Sequence, residues 1–310
     1  MPGTEALTPD GPPRWTFFFG EGDSEGDPAR KDELGGKGAS LAAMSRAGLP
    51  VPPGFTLSVA CCAYVHAHGG AWPDGLDAEV RRAVARLERV TGRRFGEGAE
   101  PLLVSVRSGA AVSMPGMMDT LLNCGLQPSL AGQVRDRERL AEVYAQFARQ
   151  FAMVVGGLES RAVQDAGGWE QVASLCEQRT GRPFPRSPWD ALRECIDAVF
   201  RSWDNQRAVV YRRAHGLTAL AGTAVTVQAM FPSEVSGIAF TANPARPQAR
   251  QIVIESAYGL GESVVSGDVT PDHFIVEPDP LRITERTIGH KAARMAALGD
   301  RTTDHDPDRP

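Results

Sequence analysis

Near residue 222 the helical texture of this 310-residue chain gives way to strand texture, and that switch limits the architectures open to it. Leu140, Val143, Tyr144, Phe147 and Phe151 recur at the spacing of one helix face, and Leu192, Ile196, Val199, Phe200 and Trp203 repeat the pattern. Beyond 222 come short strand-like runs at 223–230, 237–241, 251–256 and 273–277. Helices followed by strands, without strict alternation, indicate an α+β fold with a largely antiparallel sheet.

The rest of the chain is partitioned around that switch. Residues 1–13, rich in Pro and Gly, and residues 301–310 read as disordered tails. A first region spans 14–135, a helical segment with an insertion spans 136–221, and a strand-rich region spans 222–300. Within the first, Gly35-Gly36-Lys37-Gly38 opens a short helix carrying Leu41 and Met44, and Gly48 closes it. The rigid turn Pro50-Val51-Pro52-Pro53-Gly54 leads into a strand at 55–59. Val80, Val84, Leu87 and Val90 mark another helix, and 102–106 is a buried strand running into Arg107. The Gly/Pro-punctuated stretch 156–188 reads as a loop-bearing insertion.

Charge and cysteine usage exclude several functions. The net charge of −5, with no basic block to replace counterions on phosphates, argues against nucleic acid as a partner. No run approaches the roughly 18 apolar residues of a membrane helix, and 1–13 lacks the apolar core of a signal peptide. The five cysteines are odd in number, include the adjacent pair Cys61-Cys62 and show no C-x-x-C spacing, which speaks against a disulfide framework or a zinc site. A reducing cytoplasmic setting suits them.

Three segments can carry chemistry, each with a plain structural alternative. Lys37 sits in a glycine-rich bend at a helix start, where backbone N–H groups and a lysine offer positive charge to a phosphate; a solvated lysine on a glycine turn is the other reading. The pattern is not a P-loop, because G-x-x-x-x-G-K-[ST] is absent. Arg107, within Ser105-Val106-Arg107-Ser108-Gly109-Ala110, can point its planar fork at phosphate oxygens or can serve a structural ion pair. Met114-Pro115-Gly116-Met117-Met118-Asp119-Thr120 is either a flexible lid whose backbone near Gly116 and Thr120 hydroxyl cradle phosphate, or a Met-lined corner of the core.

Taken together, Leu34 to Ala39, Gly48 to Phe55 and Val104 to Thr120 resemble the N-terminal region of pyruvate phosphate dikinases. Phe19-Gly20-Glu21-Gly22 and Ala208-Val209-Val210-Tyr211-Arg212-Arg213 do so too. The last third, Val227-Gln228-Ala229-Met230 through Phe240-Thr241-Ala242-Asn243-Pro244, is similar to the wider group that includes phosphoenolpyruvate synthase and rifampicin phosphotransferase. Gly259-Leu260-Gly261-Glu262 and Val264-Val265-Ser266-Gly267 are closer to the synthase type. The resemblance covers about residues 15–295.

The resemblance implies an ATP-grasp nucleotide domain with a helical insertion, serving a phosphotransferase that passes phosphate from ATP toward a histidine carrier and pyruvate. It assigns Lys37 and Arg107 to the ATP phosphates and Gly116, Asp119 and Thr120 to the phosphate-covering loop. Gln228, with the backbone of Ala229 and Phe231, would lie along the adenine; a plain core strand is the alternative for Gln228. The family holds its Mg2+ on acidic and glutamine positions further along, so the C-terminal part of the grasp is expected to be missing here. Glu255 and Glu262 are the nearby carboxylates that could touch metal. His66, His68, His215, His273, His290 and His305 lack the Thr-Ser-His-Ala-like context of the family's phosphorylated histidine. A partner chain supplying the phosphohistidine and pyruvate-binding domains is therefore expected, with a non-catalytic nucleotide-binding module or a degenerate remnant as the alternatives.

Overall fold

The computed structural model describes residues 14–112, 114, 120–134, 136–291 and 298. The chain divides into two compact units, Met1–Arg137 with Tyr144–Met230, and Glu138–Val143 with Phe231–Pro310.

In the first unit, β1 (Thr16–Gly20) turns through Glu21 and Gly22, both at positive φ, into the short β2 (Asp23–Ser24). Next come α1 (Lys31–Arg46), β3 (Gly54–Leu57), α2 (Val59–Ala67) and α3 (Leu76–Thr91). The Ser58 hydroxyl accepts from the Cys61 N–H at 3.1 Å and so fixes the start of α2. Strands β4 (Val104–Gly109) and β5 (Thr120–Cys124) precede the helices α4 (Arg137–Val154, of which Glu138–Val143 group with the second unit), α5 (Ser160–Gln164), α6 (Trp169–Thr180), α7 (Pro188–Ser202) and α8 (Gln206–Ala214). The last element is β6 (Ala224–Ala229).

Six strands form one antiparallel sheet in the order β2-β1-β3-β6-β4-β5. Strand alternation splits its faces. Phe55, Leu57, Val104, Val106, Val225, Val227 and Leu121 are all buried and supply the core of this unit. Helix α7 packs on β4, β5 and β6 and, with α4, adds Leu192, Ile196, Val199, Phe147 and Phe151, the two stripes visible in the sequence.

Local expectations fared unevenly. Gly48, at φ +74°, ends α1 as the sequence indicated. The buried face of that helix is Leu34, Gly38, Ala39, Ala42 and Ser45, whereas Met44 is exposed, because the helix approaches the sheet through its small residues. Two helices, α5 and α6, lie within the stretch expected to bear loops; Val172, Ala173 and Cys176 bury one face of α6. Strand β6, grouped by its texture with the strands after 222, instead sits between β3 and β4 in the middle of the first sheet.

The second unit is a four-stranded antiparallel meander, order β10-β9-β8-β7, made of β7 (Val235–Phe240), β8 (Ile252–Tyr258), β9 (Asp272–Pro278) and β10 (Leu281–Thr287). A short helix, α9 (Glu262–Ser266), packs on β8, and Ala257, Val264 and Val269 form a small core with Ile238. Lys291 is almost fully buried: its Nζ lies 2.5 Å from Asp272 Oδ1 and donates to the Gly289 carbonyl at 2.9 Å. Asp272 also accepts from the Gly289 N–H at 2.9 Å, so one carboxylate ties residues 289–291 to the start of β9. Among the described residues no helix is long and apolar enough to cross a membrane.

Candidate functional site

The start of α1 and the end of β4 meet in backbone contact. Gly35 takes φ +67° and ψ 171°, a conformation essentially closed to other residues, and breaks the helix there. A Cβ on Gly35 would stand 1.6 Å from the Gly109 carbonyl oxygen. The next N–H, of Gly36, donates to the Ala110 carbonyl at 2.9 Å. A Cβ on Gly109 would lie 3.4 Å from Lys37 Cβ, so Lys37 stands over the strand two residues beyond Arg107. The glycines of the Gly35-Gly36-Lys37-Gly38 bend are there because helix and strand approach too closely for side chains.

Register then fixes what shares a face with Arg107. Its direct cross-strand partners are Thr120 on β5 and Thr226 on β6, and Thr226 in turn opposes Thr56 on β3. One step along, Ser105 opposes Gln228, which opposes Gly54. Cross-strand partners lie on the same face, so this face of the sheet is polar, while the residues between them form the core. Thr56, Thr226 and Ser105 were not singled out from the sequence, although the alternation Val225-Thr226-Val227-Gln228 carries the signal. The hydroxyls of Thr56 and Thr226 are buried with no hydrogen-bonding partner among the described residues. Arg107 is half-buried and Lys37 exposed.

The expected site residues divide accordingly. Lys37, Arg107, Thr120 and Gln228 fall on or beside this polar face. Gly116 and Asp119 lie outside the described residues. Met114 belongs to the core, packed with Ala110 and Trp203 and flanked by Tyr211 and Leu220, as the core-corner reading has it for that residue. The Gln228 side-chain amide donates to the Pro52 carbonyl at 2.9 Å, and the Ala229 N–H donates to the Pro53 carbonyl at 2.9 Å. Both donors thus hold the Pro52-Pro53 turn against β6. Phe231 opens the longer segment of the second unit and is 66% exposed.

Both carboxylates offered for metal lie in the second unit. Glu255 faces His273 across β8 and β9, with Nδ1 and Oε1 3.6 Å apart, and Glu262 begins α9. Among the described residues no group of three or more His, Cys, Asp or Glu is placed to hold a metal ion. All five cysteines are buried free thiols. Burial pushes the Cys62 thiol up to about 12 and that of Cys176 up to about 11, so neither is a ready nucleophile.

Comparison with known proteins decides the family. Residues 70–307, more than half of the chain, match the model of the pyruvate phosphate dikinase AMP/ATP-binding domain. The chain belongs to that family. It is 39% identical over 292 residues to a pyruvate, phosphate dikinase of Rhizobium meliloti (strain 1021), covering 84% of this chain and 32% of that protein. It is 38% identical over 286 residues to the chloroplastic pyruvate, phosphate dikinase 1 of Oryza sativa subsp. japonica, covering 83% and 30%. A pyruvate, phosphate dikinase of Rickettsia bellii is 33% identical over 285 residues, covering 82% and 32%. The chain thus spans about a third of the length of these relatives, and it corresponds to the nucleotide-binding domain of a dikinase-type phosphotransferase.

Proposed function

We propose that this dikinase-family domain grips the phosphates of ATP with Lys37 and Arg107 and covers them with Gly116, Asp119 and Thr120. The adenine lies along Gln228, Ala229 and Phe231. The Ala229 N–H is committed to the Pro53 carbonyl and the Met230 N–H to the Leu103 carbonyl. An antiparallel sheet in each unit is consistent with an ATP-grasp assignment. In a complete dikinase of the family the phosphate would pass toward a histidine carrier and then pyruvate.

One observation carries the reading. The Gly35 backbone against the Gly109 carbonyl brings the lysine of a helix start beside the strand that bears Arg107, with Thr120 directly opposite. Two cations and a hydroxyl on or beside one polar sheet face favour a polyphosphate, since phosphoryl transfer rests mainly on positioning and charge neutralisation. Mg2+ carried with ATP would supply further neutralisation.

Titration calorimetry of the chain with ATP tests this. Arg107→Ala should weaken binding by about 1.5–3 kcal/mol, the range for a charge-assisted contact. Equal affinity in the wild type and the variant would move the phosphate site elsewhere.

A further inference from the structure

A second feature with the chemistry of an anion site lies wholly within the first unit. A groove of about 880 Å³ runs between β1 and α3, lined by Arg14, Arg82, Arg86 and Arg89 and floored by Trp15 and Tyr64. It shares no residue with the site built around Lys37 and Arg107. Its volume falls in the range of small-ligand clefts.

The charge in the groove is not balanced. Of its three carboxylates, Glu79 is turned to the backbone and accepts from the Trp15 N–H at 3.1 Å, the Thr16 N–H at 3.0 Å and the Thr16 hydroxyl at 3.1 Å. Glu25 accepts from the Phe18 N–H at 2.8 Å and pairs with Arg14 and with Arg86 at 2.7 Å. Arg86 is further fixed by lying 3.8 Å over the Phe18 ring. Asp74 is exposed at the approach to α3. Arg82 and Arg89 make no ion pair or hydrogen bond with any described residue, and both are exposed. Positions 82, 86 and 89 share one helix face, so Arg82 and Arg89 leave the helix two turns, about 10 Å, apart along the axis, on either side of an arginine already held in place. This arginine row is set in a chain whose net charge is −5.

Planar guanidinium forks suit phosphate oxygens, and a row of them suits a ligand with more than one phosphate. Trp15 and Tyr64, their rings tilted and 5.7 Å apart, with Tyr64 stacked on His68, add aromatic lining to the groove. We infer that the β1–α3 groove is a second binding site, separate from the nucleotide site, for a ligand bearing two or more linked phosphates, held by Arg82 and Arg89. An inorganic polyphosphate and a nucleoside polyphosphate share this chemistry.

The test titrates the full chain with inorganic tripolyphosphate and, separately, with ATP, in the wild type, in Arg107→Ala and in Arg107→Ala carrying Arg82→Ala/Arg89→Ala, so that the groove is read with the proposed nucleotide site weakened. Both replaced groove arginines are exposed, so adding their substitutions should leave the unfolding midpoint of Arg107→Ala unchanged. Tripolyphosphate should still bind Arg107→Ala and should bind the variant that also lacks Arg82 and Arg89 about tenfold more weakly or worse. Tighter binding of ATP than tripolyphosphate to Arg107→Ala would assign the groove to a nucleotide; equal or weaker binding would assign it to the bare phosphate chain. Tripolyphosphate binding to Arg107→Ala that survives the added groove substitutions overturns the inference. So does a wild-type chain that takes neither probe, or takes only an acidic peptide such as polyglutamate.

Discussion

Two single residues show how closely local conformation and burial are set in this domain. Gly35 combines a backbone region that side chains do not enter with a contact that leaves no room for one. Gly35→Ala should cost about 2–5 kcal/mol, from strain together with overpacking, and should weaken ATP binding beyond that loss by separating Lys37 from β4. Urea unfolding, with ATP titration under conditions where the variant is folded, separates the two effects. Asp197 makes a different point. It is half-buried and accepts from Trp72 Nε1 at 2.6 Å. Burial raises its pKa, opposed by the Trp72 hydrogen bond and by Arg201 and Arg193. The folded chain therefore holds this proton more tightly than the unfolded chain. That contribution to stability is complete below the ordinary carboxylate range and is lost as pH rises through the raised folded value. Asp197→Asn keeps an acceptor for Trp72 and removes the buried charge. Its stability relative to wild type should rise with pH across that window; a pH-independent difference in unfolding midpoints would contradict the assignment.

At the scale of elements, the six-stranded sheet must end somewhere, and β5 is one of its edges. The Leu122 N–H there donates to Gln150 Oε1 of α4 at 2.9 Å, so a helix side chain occupies a position that another strand could take. Gln150→Ala should cost about 1–3 kcal/mol for a buried N–H left unpaired and raise the tendency to aggregate, read by chemical denaturation and light scattering. The sequence discloses such elements unequally. The stripes of α4 and α7 were legible because each buries one continuous apolar face. The run at 223–230 was legible as a strand, but its place between β3 and β4 was not, because pairing over more than a hundred residues leaves no local trace. Strand β10 escaped notice because all seven of its residues are exposed, so no alternation marks it. Of the candidate site, Lys37 and Arg107 stood out through their glycine and strand-end contexts. The threonine row did not, since threonine in a strand is ordinary until register sets it beside an arginine.

The whole molecule is two units, each with its own sheet and its own core, and that organisation has a thermodynamic consequence. A domain that closes its own core can unfold as a cooperative unit. The first unit carries Lys37, Arg107, Thr120 and Gln228; the second carries the buried Lys291–Asp272 pair. Removing one partner of such a pair leaves an uncompensated buried charge and costs about 3–5 kcal/mol. Asp272→Ala also deprives the Gly289 N–H of its acceptor. Calorimetric unfolding of this variant should therefore show two transitions, with the loss confined to the lower one. ATP should raise the transition of the first unit by mass action, since a ligand stabilises the state it binds. Asp272→Asn, which keeps an acceptor but not the charge, should fall between wild type and alanine. A single transition that moves as one under both the substitution and ATP would mean that the sheets unfold together, and that stability in the meander is passed to the proposed phosphate site.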